Sequence, residues 1–143
     1  MPVVQSIYHT GFIVENLDRA LEFYTQVLGM DIEREPTLSD TPWLSQVVGY
    51  PDVIMRQAYV GVGDGHSIEL IEYIHPRGEV RSDQIDRNRP GSAHAAMVVD
   101  DVPAWRERIE ALGIKVLALN TNETSSIHGQ GMQYIFRILT GIG

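Results

Sequence analysis

The sequence predicts an α+β fold in which paired βαβββ modules form a curved mixed-sheet cup, the second module lacking its last strand. Three observations predict it: an internal repeat, a strand-then-helix periodicity in each copy, and a charged, turn-rich stretch between the copies. In the repeat, His9-Thr-Gly-Phe-Ile-Val14-Glu-Asn16-Leu17 returns as His94-Ala-Ala-Met-Val-Val99-Asp-Asp101-Val102. Such self-similarity fixes which elements are equivalent before any of them is assigned. The first module is read over 4–75, the linker over 76–91 and the incomplete second module over 92–143, all in one domain spanning 1–143. A chain of 143 residues with 43% hydrophobic content suits one ordinary core.

In the first copy, Ile7, His9, Gly11 and Ile13 alternate and so share one face of a strand. Asn16 follows as a residue whose side chain can accept the free amide hydrogens of a starting helix. Leu17, Ala20, Leu21, Tyr24 and Leu28 make the helical stripe, and Gly29 supplies the positive φ that ends it. Met30 to Glu35 reads as a short second strand. A polar, Pro-rich loop then leads to a strand over Val53 to Val62, a turn at Gly63-Asp64-Gly65 and a strand over His66 to His75. The second copy repeats the pattern. After Asp101 come Pro103 in the first turn and a stripe of Val102, Trp105, Ile109 and Leu112, closed by Gly113. Ile114 to Leu119 is the matching strand, and Met132 to Arg137 is one strand more.

Composition excludes several classes of function. A formal charge of −8 and a pI near 5.0 leave no basic surface for nucleic acid. Without cysteine there is no disulfide, thiolate ligand or thiol nucleophile. No run approaches the about 20 apolar residues of a membrane span, and no basic segment followed by an apolar one opens the chain. A cytoplasmic protein with small-molecule partners, and neither nucleic-acid nor membrane partners, is expected.

The repeat places His9 and His94 at equivalent strand positions, which module pairing would bring to one surface. Neutral imidazoles bind divalent transition metals and need one or two carboxylates beside them. Glu69 is the candidate, because it lies in the apolar run Ser67-Ile-Glu-Leu-Ile-Glu-Tyr73, where an ionised side chain is costly unless paired or metal-bound. Glu72 takes the opposite face, toward solvent. His66 and His75 flank a strand and read as surface residues, while His128 lies in a Gly-containing loop. Tyr59 and Tyr73 read as core or cup-wall residues, and Trp105 as structural.

At these residues the chain resembles the vicinal oxygen chelate superfamily, which includes glyoxalase I, methylmalonyl-CoA epimerase, extradiol dioxygenases, fosfomycin-modifying enzymes and bleomycin-binding proteins. The likeness runs through His9, Asn16-Leu-Asp-Arg-Ala-Leu-Glu-Phe-Tyr24, Val27-Leu-Gly-Met30, Ser67 to Glu72, and His94 with Val98-Val-Asp-Asp-Val102. It implies a divalent metal (Zn, Ni, Co, Mn or Fe) held by His9, Glu69 and His94. Glu69 would then be the base in a lyase or isomerase reaction through an enediolate or enolate. The fourth ligand of the family, a Glu late in the second module, has no counterpart, which argues against dioxygenase and fosfomycin-type chemistry. A metal-free small-molecule-binding protein and a truncated, non-catalytic member are the alternatives, and a homodimer is the expected assembly. Where relatives read Phe-Arg-Asp-Pro-Asp-Gly, this chain reads Phe136-Arg137-Ile-Leu-Thr-Gly-Ile-Gly143. With suitable codons, a one-base shift of reading frame near Arg137 turns this ending into Asp-Pro-Asp-Gly-Asn-Arg, so the expectation is a shifted ending that has lost the final strand with its Glu and left a frayed tail over Ile138 to Gly143.

Overall fold

The computed structural model describes residues 1–79, 90, 92–114, 116 and 133–136, the last four as backbone. Residues 1–79 belong to one compact unit and the others to a second.

The first unit is built on four strands, β1 (His9–Ile13), β2 (Asp31–Ser39), β3 (Ile54–Gly61) and β4 (Ser67–His75). They form one curved, open sheet in the order β1-β4-β3-β2. β1 runs parallel to β4 and the other pairs are antiparallel, so the sheet is mixed, as the βαβββ reading requires. Alternation along the strands divides the residues between two faces. One face carries Phe12, Ala58, Val60, Ile68 and Leu70, all buried. Against it packs α1 (Leu17–Glu22) through Leu17, Ala20 and Leu21, all buried. Fully burying a side chain such as Leu17 or Leu70 stabilises the fold by about 1.5–3 kcal/mol.

Two acceptors satisfy the first turn of α1. Asn16 Oδ1 accepts from the Arg19 amide at 2.9 Å, and Glu72 Oε2 accepts from the Leu17 amide at 3.2 Å. Arg56 bridges Glu72 Oε2 at 3.3 Å to Asp18 at 2.7 Å. Glu72 is therefore buried rather than solvated, because its strand position lies under the start of α1, where an amide hydrogen needs an acceptor. Beyond Glu22 the coil widens over Phe23–Val27, with the Leu28 amide bonded to the carbonyl of Phe23, five residues back. Gly29, at φ 73°, ends it as the sequence predicts.

The expected loop before β3 contains a helix, α2 (Pro42–Val48). Thr41 Oγ1 caps the Leu44 amide at 3.2 Å, Pro42 occupies the first turn, and Gly49 at φ 78° closes the helix. Leu44 joins Val53 and Met55 in a second apolar cluster, packed against Val48, Ile71 and Tyr73. This cluster covers one end of the sheet face opposite α1. β2 also runs on to Ser39, past the expected end at Glu35. Its register shifts on either side of Glu33 and Pro36, which an edge strand tolerates.

In the second unit, β5 (Ala96–Val99) pairs antiparallel with β6 (Gln133–Phe136), and α3 (Val102–Ala111) follows β5. Asp101 Oδ1 caps α3 through the Ala104 amide at 2.9 Å. The buried stripe is narrower than expected. Val102 and Ile109 are buried, but Trp105 is half-buried beneath the Arg108 guanidinium and Leu112 is exposed. Most of the expected strand Ile114 to Leu119, the tail Ile138 to Gly143 and the missing last strand lie outside the described residues.

Candidate functional site

The register of the first unit sets out a row of residues across the sheet face opposite α1. Gly11 of β1 faces Glu69 of β4, Glu69 faces Tyr59 of β3, and Tyr59 faces Arg34 of β2. His9, two residues before Gly11 on the same strand face, completes the group.

Glu69 is the centre. Its residue is only 8% exposed, a depth at which a carboxylate needs partners. Oε1 accepts from the Tyr59 hydroxyl at 2.7 Å, and Oε2 lies 3.2 Å from His9 Nε2. Gly11 keeps the far side of the carboxylate low: a Cβ at that position would stand 3.5 Å from Oε2, and any longer side chain would cover it. Burial, and then the bond to Glu69, push the Tyr59 hydroxyl up to about 12, so it stays protonated and donating at neutral pH. Rings surround the pair. His9 meets Tyr59 and Tyr8 edge-on, with centroids 5.5 and 5.2 Å apart, and the Arg34 guanidinium lies 4.7 Å above the Tyr59 ring.

Neighbouring polar groups serve the hairpin between β3 and β4. Glu33 accepts from the Ser67 hydroxyl and, at 3.3 Å, from the Gly63 amide. His66, expected at the surface, is half-buried with Nε2 3.0 Å from Thr10 Oγ1, whereas His75 is exposed. Tyr73 is a cup-wall residue, set edge-on to Tyr50 at 6.2 Å, and burial raises its hydroxyl above the ordinary range.

Of the three expected ligands, His9 and Glu69 come together in the first unit. His94 is an exposed residue of the second unit, two positions ahead of β5. Among the described residues no three His, Asp or Glu side chains gather as a metal group. The His9–Glu69 pair nevertheless has the donor chemistry of such a site. Two donors each ~2.1 Å from one ion, at right to tetrahedral angles, lie roughly 3.0–3.4 Å apart, and His9 Nε2 and Glu69 Oε2 are 3.2 Å apart. His128 lies outside the described residues.

Sequence reasoning did not find the Tyr59–Glu69 bond or the position of Arg34. A signal existed for the first: Tyr59 and Glu69 stand equidistant from Asp64 at the centre of the predicted turn, which is the condition for direct cross-strand pairing. Arg34 carried none, since its register depends on irregularities in β2.

The chain is similar to known proteins in sequence and in fold. Lactoylglutathione lyase of Haemophilus influenzae is 32% identical across 86% of this chain and 76% of its own length. A 2-epi-5-epi-valiolone epimerase from Actinomyces is 29% identical across 82% of this chain, which spans only 64% of that enzyme's length. A solved glyoxalase family protein from Bacillus cereus superposes with a TM-score of 0.74 at 20% identity, covering 82% of this chain and 78% of that one, and so shares its fold. The sequence profile of one family matches residues 8–136, nearly the whole chain. The chain belongs to the Glyoxalase/Bleomycin resistance protein/Dioxygenase superfamily.

Proposed function

We propose that this protein is a glyoxalase-type lyase or isomerase acting on a small oxygen-rich substrate, with His9 and Glu69 holding a divalent metal ion and Glu69 moving the proton. The observation that carries the reading is the His9–Glu69 pair on the sheet face that α1 leaves open. The similarity to a lactoylglutathione lyase and an epimerase supports proton-transfer chemistry of this kind. A divalent ion at the pair would withdraw charge from two neighbouring substrate oxygens and so acidify the adjacent C–H. The rest falls to the chain's own groups. Tyr59 holds Oε1 by its hydroxyl, so Oε2, opposite Gly11, is the atom that would hold the ion at rest and, once released from it, take and return the proton. The apolar wall of Met55, Ile71 and Tyr73 limits water beside it. His94 is proposed as a further ligand on its place in the repeat alone.

Solvent deuterium exchange tests the proposal. A panel of α-hydroxycarbonyl compounds and hemithioacetals, incubated in D2O with protein and followed by proton NMR, should show exchange at the carbon beside the paired oxygens. Glu69→Gln should abolish it. Exchange that persists in Glu69→Gln, or none with any member of the panel, counts against the reading.

A metal-free binding protein is the second reading, favoured by the fact that Tyr59 and His9 already partner both oxygens of Glu69. Ligand binding that survives chelator treatment, without turnover, would select it. We further propose a homodimer, because β1 pairs on one side only among the described residues and an open strand edge invites a partner. Sedimentation at tens of micromolar, roughly the range of ordinary association strengths, should show a dimer, and a monomer there refutes it.

A further inference from the structure

Arg34 has no role in the chemistry above, yet it ends the row that begins at Gly11 and passes through Glu69 and Tyr59. Histidine apart, only two basic residues lie on the four strands of the first unit, Arg34 and Arg56. They have opposite fates. Arg56 is on the α1 face, held by Asp18 and Glu72. Arg34 is on the open face, with no ion pair among the described residues, and its guanidinium carbon lies 4.7 Å from the centre of the Tyr59 ring. A cation–π contact of that kind positions the guanidinium without using its hydrogen-bond donors. A cation with no ion pair among the described residues, in a chain of net charge −8 and beside Glu33 and Glu35 in sequence, is the feature that calls for a counterion.

We propose that Arg34 is a specificity residue that binds a carboxylate carried by the substrate, so that the protein selects small carboxylic acids over their neutral counterparts. This rests on the proposed function, since it takes the His9–Glu69 pair as the reacting end. The spacing sets the size of the molecule. Arg34 and Glu69 are separated by two strand spacings of ~4.8 Å, so the carboxylate sits within roughly 10 Å of the reacting carbon. That is the reach of a compact acid of a few carbons rather than of a long conjugate. A carboxylate suits the site better than a phosphate dianion, because a single planar fork satisfies it in a bidentate pair. A second negative charge would face Glu69 and Glu33 with no second strand cation on that face.

Two hydroxamates of equal length make the test: succinic monohydroxamic acid, which ends in a carboxylate, and its terminal amide, which does not. Both offer two neighbouring oxygens. Dissociation constants are measured by calorimetry for the metal-loaded wild type, Arg34→Met, which keeps an apolar stem on the Tyr59 ring, and Glu69→Gln. The wild type should bind the acid at least about tenfold tighter than the amide, the scale of one charge-assisted bond. In Arg34→Met that ratio should fall to near one while affinity for the amide is unchanged. In Glu69→Gln both ligands should weaken together with the ratio preserved. A ratio near one in the wild type, a preserved ratio in Arg34→Met, or no binding of either compound at millimolar concentration overturns the inference. If instead Glu69→Gln weakens neither compound while Arg34→Met still abolishes the ratio, the carboxylate site stands and the proposed reacting end fails.

Discussion

Replacing Glu72 by Ala should destabilise the protein by about 2 kcal/mol. The substitution removes the acceptor of the Leu17 amide, equivalent to losing a helix cap, for which about 1 kcal/mol is typical. It also removes one of the two carboxylates on Arg56, a contact at 3.3 Å with the arginine partly exposed, which contributes up to about 1 kcal/mol. Asp18 keeps the guanidinium paired, so no buried charge is orphaned and the loss stops there. Urea unfolding followed by far-UV circular dichroism reads the change as a lower midpoint at constant m. Glu72→Gln, which retains an oxygen for the Leu17 amide, should lose about half as much, and Glu35→Ala on the exposed edge strand should stay within about 0.5 kcal/mol. If Glu72→Ala is as mild as Glu35→Ala, the residue is solvated and the capping role is wrong.

Other substitutions probe the remaining structure. Leu70→Ala, at a fully buried position of a central strand, should cost about 3 kcal/mol by the same unfolding measurement, within the usual 2–5 kcal/mol for such cavities. Thr41→Ala should cost about 1 kcal/mol, because it leaves the Leu44 amide uncapped, and no change would mean that α2 does not begin there. Tyr59→Phe should cost about 1.5–3 kcal/mol, the range for a hydrogen bond to a charged group, when measured on metal-free protein. Its hydrogen bond and ion pair with Arg56 hold Asp18 below its ordinary 3.8, so the stabilisation is present above that pH and is lost as pH falls through the lower folded value. Melting temperatures of wild type and Asp18→Asn should therefore differ at pH 7 and converge below about pH 3.8. A constant difference refutes the pairing.

Where local chemistry decides conformation, the sequence was legible. Asn16 and Asp101 cap the helices that follow them, Gly29 ends the first, and Gly63-Asp64-Gly65 turns β3 into β4. His9 and Glu69 were also legible as a pair, because an acid in an apolar strand needs a partner and the β1 repeat position offered one. The helix α2 was not. Its apolar face shows in only Leu44 and Val48, too short a stripe for periodicity to register, although Thr41-Pro42 and Gly49 are start and stop signals in their own right. Glu72 was misjudged for another reason: alternation tells which face a residue takes, but not that a helix begins above it. Tyr59 and Arg34 escaped because their roles come from cross-strand register, which couples residues distant in sequence.

Cobalt titration of tag-free, chelator-stripped protein tests the His9–Glu69 centre most directly, since bound Co²⁺ absorbs in the visible range and needs no knowledge of the substrate. The wild type should bind one ion per chain, and His9→Ala and Glu69→Gln should each weaken binding by about tenfold or more. A wild type that develops no cobalt spectrum, or variants that bind the ion as tightly as it does, would contradict a metal centre at this pair.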